Sequence, residues 1–533
     1  MNRPKFLYIF AIFLTLYHVT ARIGLAIDLQ WHLDVGRDSM FTPPHIMILV
    51  GFPICLLLSI YYVIVCSKDF RKGIEVNGIQ IFGLIAPGYI WMILIGMFSL
   101  SIGGVYDDYW HAQYGIDTTV LTPPHMLTLF GGIIAEIASV LLVLALMKEN
   151  NSNFKGLDLL ASLLLWTVFF HSSFLFLNYI DPKLAITSLF GLDLLLHLFF
   201  GPFVTYCLIV MTQKWFGNRV LLYLGIITII FQSSMFYFIP VSVELLMGPS
   251  HVYRPGAPSI VWAGHCISIW FLPVIILIIK FNLLNKEYLL IPLLVLSDVL
   301  FSPIFPINYI GQVGLFSTIV SVSLAIFLIF LSRKLIHKFV IELANYSNNN
   351  YFHFNPRLRI IAVTIALILI SPVSAHGNHF EEGSGFDAPM RVQVDLNGTE
   401  VWVEFMLWPP KAPQDCDILL VANESEKTIE SMWTEIVFFS ENGEVRMIQE
   451  FDQYLDQTIW FGKNHFTFSG NQSIQIKAII DGNEEMANIT IEVEPPASIP
   501  IWLAWTLSSI WVFLMFYSSY YFAEKLRRGD ECE

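Results

Sequence analysis

TPPHMLTLFGGIIAEIASVLLVLALMK, residues 122–148, decides the fold class. From Met126 to Met147 the only charged residue is Glu136. A helix needs roughly 20 mostly apolar residues to cross a bilayer, and this run supplies them. Pro123-Pro124 suits the first helical turn, where an amide N–H has no partner in any case. Working outward, runs of the same kind recur from Phe6 almost to Tyr346. Hydropathy places about twelve spans, near 5–27, 44–66, 79–103, 122–147, 157–177, 188–212, 220–243, 260–280, 288–305, 311–332, 358–375 and 499–522. Composition agrees: with 55% hydrophobic and 14% charged residues, a soluble chain could not cover its surface.

Loop charges orient the spans. Lys68, Arg71 and Lys72, then Lys148 and Lys155, Lys214 and Arg219, Lys280 and Lys286, Arg333 to Arg359, and Lys525 to Arg528 all fall on one side of this arrangement. By the positive-inside rule that side is cytoplasmic, together with both termini. The alternate loops carry Asp28, Asp34, Asp38, Asp107, Asp108 and Asp117, and face outward. A net charge of -14 argues against nucleic acid as a partner. The six cysteines form no CxxC motif and no readable disulfide framework.

The polar stretch 376–498 has a different grammar. MRVQVDL, TEVWVEFML, DILLVAN, TEIVFFS, EVRMIQEF, SIQIKAII and ANITIEVE alternate or cluster β-branched and aromatic residues. Asn397-Gly398, Asn442-Gly443, Gly470-Asn471 and Gly482-Asn483 separate them as turns. The expectation is a mostly α polytopic membrane protein with an extracytosolic all-β sandwich before the last helix. Residues 1–150 form a duplicated metal-site region, 151–357 an additional bundle, 376–498 the sandwich, and 499–533 the last span and a tail. IIAVTIALILISPVSA, residues 360–375, reads as a span ending in small residues, with a cleaved signal as the alternative.

The opening motif has an earlier twin. Residues 28–51 read DLQWHLDVGRDSMFTPPHIMILVG, and residues 107–132 read DDYWHAQYGIDTTVLTPPHMLTLFGG. Both run from Asp through Trp-His, then Gly and Asp, to Thr-Pro-Pro-His. Asp28 and His32, like Asp107 and His111, are four residues apart and share a helical face if the outgoing helix continues. His45 and His125 then point back from the first turn of the returning helix. Two imidazoles and a carboxylate make a transition-metal donor set. Asp38 and Asp117 are placed to orient a ligand imidazole. One such loop alone is better read as a hydrogen-bonded cap, and the duplication tips the balance towards metal.

These residues carry a resemblance. WH…RDSMFTPPHIMILVGFP resembles the metal-site region of the C subunit of particulate methane and ammonia monooxygenases, through Asp28, His32, Arg37, Asp38, Phe41, Thr42, His45 and Pro53. That subunit's second metal site has two histidines at similar spacing, matched by His111 and His125, and an asparagine where this chain has Asp107. The likeness covers roughly 20–55 and 100–135. More weakly, SAHGNHFEEGSGFDAPMRVQV, residues 374–394, looks like the start of the family's cupredoxin-like B subunit. His376, His379 and His465 are available there, but the family's His-x-His pair is missing. Copper-handling domains of the CopC or YtkA type share a similar β architecture. The family assembles three different subunits, whereas this chain is longer than a C subunit and shows no match to the A subunit across 157–335.

The resemblance implies copper at the outer face, although zinc and iron suit the same donors. In an enzymatic form it implies oxidation of a small apolar substrate with oxygen. A copper-handling or transfer protein is the alternative, and an ion transporter using the Asp/His pairs is a third. Transport calls for polar residues through the spans to the cytoplasmic side, and few are present. Implied partners are the lipid bilayer and either other monooxygenase-type subunits or copper-delivery proteins. Further ionisable residues lie towards the outer ends of spans: His18 and Arg22, His171, Asp193 and His197, Glu244, His251, His265 and Asp298. Their shared depth suggests a polar cavity, with His171 meeting the Asp193/His197 pair. Glu136 lies deeper, where pairing with one neighbour would satisfy it.

Overall fold

A computed structural model of the chain describes residues 3–34, 42–76, 78–114, 116–117, 122–149, 154–177, 186–189, 192–195, 197–246, 272–301, 309–346, 390–405, 407–410, 412, 414–422, 428–440, 443–453, 459–495, 503 and 506. The helices are α1 (Arg3–Asp34), α2 (Pro43–Leu49), α3 (Phe52–Arg71), α4 (Gly88–Tyr114), α5 (Pro123–Lys148), α6 (Leu157–Leu177), α7 (His197–Phe216), α8 (Asn218–Leu246), α9 (Leu272–Lys280), α10 (Glu287–Phe301) and α11 (Tyr309–Tyr346). Among the described residues, six helical segments are long and apolar enough to cross a membrane. The expected segments 358–375 and 499–522 fall outside the described residues, apart from 503 and 506.

Local chemistry shifts several expected boundaries. The span expected at 44–66 lies within one apolar helical stretch, Pro43–Arg71, long enough to cross a membrane; Pro53, which has no N–H to donate, interrupts its backbone hydrogen bonding between α2 and α3. Thr42 caps α2 in extended conformation, followed by Pro43 and Pro44. The span expected at 79–103 begins instead at Gly88. Its first residues pair as a hairpin, β1 (Ile79–Ile81) with β2 (Leu84–Ala86), turning through Phe82 and Gly83 at φ 50° and 76°. Positive φ at both turn positions matches the right-handed twist of paired strands. Likewise β4 (Ile186–Leu189) and β5 (Leu192–Leu195) form a hairpin where the span 188–212 was expected to start. The expected 157–177 coincides with α6.

Side chains sort by face. On α3, Ile54, Leu57, Ile60, Tyr61 and Ile64 form an exposed apolar stripe, as Leu315, Phe316, Ile319, Phe327 and Leu331 do on α11. Such stripes suit contact with lipid. By contrast α5 is buried along most of its length, as befits a helix apolar on every side. It packs against α4, α6 and α1. The α4–α5 crossing is close: a Cβ added to Gly96 would stand 2.6 Å from the Gly131 carbonyl oxygen and 2.7 Å from the Ala135 amide. Small residues let helix backbones approach in this way.

The remaining strands are β3 (Ile116–Asp117), β6 (Met390–Leu396), β7 (Thr399–Phe405), β8 (Leu407–Trp408), β9 (Gln414–Ala422), β10 (Ile429–Ser440), β11 (Gly443–Gln453), β12 (Ile459–Phe466), β13 (Gly470–Ile480) and β14 (Asn483–Val493). The expected all-β region is present as one antiparallel sheet ordered β14-β13-β10-β11-β12-β9-β7-β6. Among the described residues β11 and β12 pair at two positions, Asp452 with Phe461 and Gln453 with Trp460. The sheet folds over its own core in sandwich fashion, bringing β14 against β6. Val403, Phe405, Ile418, Leu420, Ile474 and Ile476 fill that core. Asn397-Gly398 and Asp481-Gly482 turn with positive φ at both positions, as the hairpins β6–β7 and β13–β14 require. Cross-strand neighbours Arg391 and Glu404 form a buried ion pair at 3.3 Å. β8 leaves the main sheet and pairs with β3, Ile116 opposite Trp408 and Asp117 opposite Leu407. The second repeated loop is therefore hydrogen-bonded to the β region.

Candidate metal centre and a buried charge cluster

In both repeats the structure brings the carboxylate to the returning histidine. His45 Nε2 lies 3.2 Å from Asp28 Oδ1, and His125 Nε2 lies 3.3 Å from Asp107 Oδ1. The helix ends create this contact. Asp28 is near the end of α1 and His45 is in the first turn of α2; Asp107 is near the end of α4 and His125 is in the first turn of α5. Thr42 caps α2, its Oγ1 accepting from the His45 amide at 3.4 Å. Thr122 precedes α5 and instead bonds the His125 ring, Oγ1 to Nδ1 at 2.9 Å. That bond orients the imidazole so that Nε2 faces Asp107.

The repeat extends further than its sequence signature. Trp31 and Trp110, three residues after each Asp, are both buried. Gly24 and Gly103, four residues before each Asp, sit at the helix crossing: an added Cβ would meet Ile48 at 3.1 Å or the Thr128 amide at 3.0 Å. Ile48 and Thr128 are equivalent, each three residues after the returning histidine. Deeper, Gly51 packs on the Tyr17 ring, and Gly131 packs on Gly96. These four residues also occupy equivalent positions. The two hairpins cross alike, so a shared geometry holds each Asp/His pair.

Between the hairpins the copies diverge. Glu136 of α5 is wholly buried. Arg22 Nε of α1 lies 3.2 Å from its Oε1, His171 Nδ1 of α6 lies 3.1 Å from its Oε2, and His18 Nδ1 of α1 lies 4.0 Å from Oε1. His18 Nε2 is 3.1 Å from Ser139 Oγ, whose own hydroxyl donates to the Ala135 carbonyl at 2.7 Å. The positions equivalent to Arg22 and Glu136 in the other hairpins are Ser101 and Leu56, so the cluster belongs to the α1–α5 contact and not to the repeat. At the Lys/Arg-rich end of the bundle, Glu287 of α10 gathers Tyr206 of α7 with Arg333 and His337 of α11. Tyr206 donates to Oε1 at 3.0 Å, Arg333 Nε is 3.3 Å from Oε2, and His337 Nε2 contacts Oε1.

Other expected site residues are placed as follows. His32 and His111 lie on α1 and α4, four residues beyond the aspartates, with side chains outside the described residues. Asp117 is placed by backbone alone, on β3, while Asp38, His251, His265, His376 and His379 lie outside the described residues. Asp193 belongs to β5, and His197 is the first residue of α7. They do not share one helix, because the chain pairs as a hairpin before α7 begins. His171 meets Glu136, while the side chains of Asp193 and His197, the pair expected near it, lie outside the described residues. Glu244 is exposed on α8, and the Asp298 side chain is not described. His465 is exposed on β12, opposite Asp415. Among the described residues, no three His, Cys, Asp or Glu side chains gather as a metal-ligand group. The Glu136 cluster escaped the sequence reading because its members come from three helices. Its one local signal is Gly132, whose missing side chain leaves room for the His171 ring. No family model, curated protein or solved structure matches the chain.

Proposed function

We propose that this chain is a membrane copper-binding protein with one Asp/His ligand set at the end of each repeated hairpin. The supporting observation is the pair of carboxylate–imidazole contacts at 3.2 and 3.3 Å on equivalent residues. Donor atoms about 2.0–2.1 Å from one ion at tetrahedral angles stand about 3.3 Å apart, so the spacing fits two adjacent ligands. Asp28 and His45, with His32 one turn along α1, form the first set. Asp107, His125 and His111 form the second. Copper bound there would supply redox chemistry, and the resemblance to the monooxygenase C subunit favours it over zinc or iron. Thr122 would hold the His125 ring in register. In this reading about twelve spans place both termini in the cytoplasm, and the hairpin ends and β region outside.

The pairing of β8 with β3 puts the β region against the second loop, which suits either a docked oxygenase or copper passed from the β region to the hairpins. Oxygen consumption dependent on a small apolar substrate separates the two. The direct test is metal analysis by mass spectrometry of the full chain from its native membrane. His45→Ala with His32→Ala should remove one copper per chain, and adding His111→Ala with His125→Ala should remove the second. Circular dichroism would establish that the variants remain folded. A native protein without copper, or variants with unchanged copper, would overturn the proposal.

A further inference from the structure

The Glu136 cluster permits an assignment of protons. Glu136 lies against the Arg22 guanidinium, so it is ionised and can only accept. His171 Nδ1, 3.1 Å from Glu136 Oε2, must therefore carry the ring proton and donate it. In the neutral ring that leaves Nε2 as a bare lone pair. Ser139 spends its hydroxyl proton on Ala135, so His18 Nε2 carries the proton donated to Ser139. Arg22 and Glu136 balance in charge, so the cluster is neutral without a proton added to either imidazole. His171 is 1% exposed, and among the described residues its Nε2 has no hydrogen-bond partner. A buried polar atom left in that state is costly unless something else occupies it.

We propose that His171 Nε2, with its ring held by Glu136 and seated over Gly132, is a buried proton-accepting site in the core of the helical bundle. A carboxylate on one imidazole nitrogen fixes the tautomer and stabilises the imidazolium that forms when the other nitrogen takes a proton. The step balances simply. The Nε2 lone pair forms an N–H bond as an O–H bond of a protonated water breaks, and the resulting cation faces Glu136. Among the described residues, the charged and titratable groups around it are Arg22, His18 and Tyr17 from α1 and Glu136 from α5; Cys55 of α3 lies beyond Tyr17. A purely structural cluster has no need of a bare acceptor, since a second partner on Nε2 would fix the helices better. This inference does not depend on the metal assignment.

The test is nitrogen-15 NMR of the full chain in lipid bilayers with labelled histidine rings. The chain has 14 histidines, and the resonances lost in His171→Gln identify the ring. The expected result is a protonated Nδ1 and a bare Nε2 that gains a proton on acidification, with its new N–H exchanging with water. Glu136→Gln should shift the tautomer equilibrium towards Nε2–H. Two results would overturn the proposal: an Nε2–H tautomer in the unaltered chain, or no protonation of this ring over the pH interval in which the chain stays folded. Both are read without the Glu136 variant, so its failure to fold would leave the test intact.

Discussion

Glu136→Leu is expected to destabilise the folded bundle by about 3–5 kcal/mol, the usual cost of removing one partner from a buried ion pair. The cause is what remains. Arg22 is 5% exposed, and without Glu136 its charge has no counter-ion within the cluster. The companion change Arg22→Met should cost a comparable amount by stranding the carboxylate. The double variant should cost clearly less than the two single costs added together, because it removes both charges and leaves an apolar contact between α1 and α5. Equilibrium unfolding of all four proteins in the same lipid or detergent measures this. Additive costs would show that Arg22 and Glu136 do not act as a pair, and Glu136→Leu within 1 kcal/mol of the parent, roughly the scale of an exposed pair, would show that the cluster is solvated.

The second large effect concerns the helix crossings. Gly96→Ala and Gly51→Ala alter the same crossing in the two hairpins, Gly96 on the outgoing helix of one and Gly51 on the returning segment of the other, but should differ in outcome. A methyl at Gly96 meets the backbone of α5, the Gly131 carbonyl oxygen at 2.6 Å and the Ala135 amide at 2.7 Å. Backbone cannot swing aside, so the helices must separate. A methyl at Gly51 meets the Tyr17 ring at 2.9 Å, but also Tyr17 Cβ at 3.0 Å; the ring can shift, and the smaller displacement falls on one side chain. Overpacking costs about 1–3 kcal/mol, and Gly96→Ala should lie at or above the upper end while Gly51→Ala lies near the lower. Separation of α4 from α5 also draws Asp107 away from His125. Metal bound at the second hairpin should therefore weaken in Gly96→Ala while the first hairpin keeps its affinity. Unfolding midpoints and metal titration of the two variants measure these effects, and equal destabilisation would refute the rigid-backbone account.

Much of this protein is legible in its residues alone. Apolar length identifies the helices, since burying the polar backbone in lipid demands an uninterrupted run. Thr-Pro-Pro-His marks the return of each hairpin, because a capping threonine and two prolines suit a first helical turn and little else. Asn397-Gly398 marks a strand turn for a similarly local reason. The Asp-x-x-x-His spacing singles out the aspartates, and the structure places Asp28 and Asp107 against His45 and His125. Hydropathy averages over many residues, however, and cannot see Phe82-Gly83 turn the chain inside an apolar stretch. So α4 starts at Gly88, after a hairpin that occupies the first residues of the expected span. Nor does sequence spacing reveal partners on different helices. Arg22, Glu136 and His171 are scattered over three of them, and the packing of α5 against α1 and α6, with Gly132 leaving room for the His171 ring, brings them together. The long apolar helices, the duplication and the residue types at the candidate sites are all readable from the residues, because these rest on local propensity and periodicity. Tertiary packing alone decided which buried charges meet, because a low-dielectric interior admits a charge only where another helix delivers its partner.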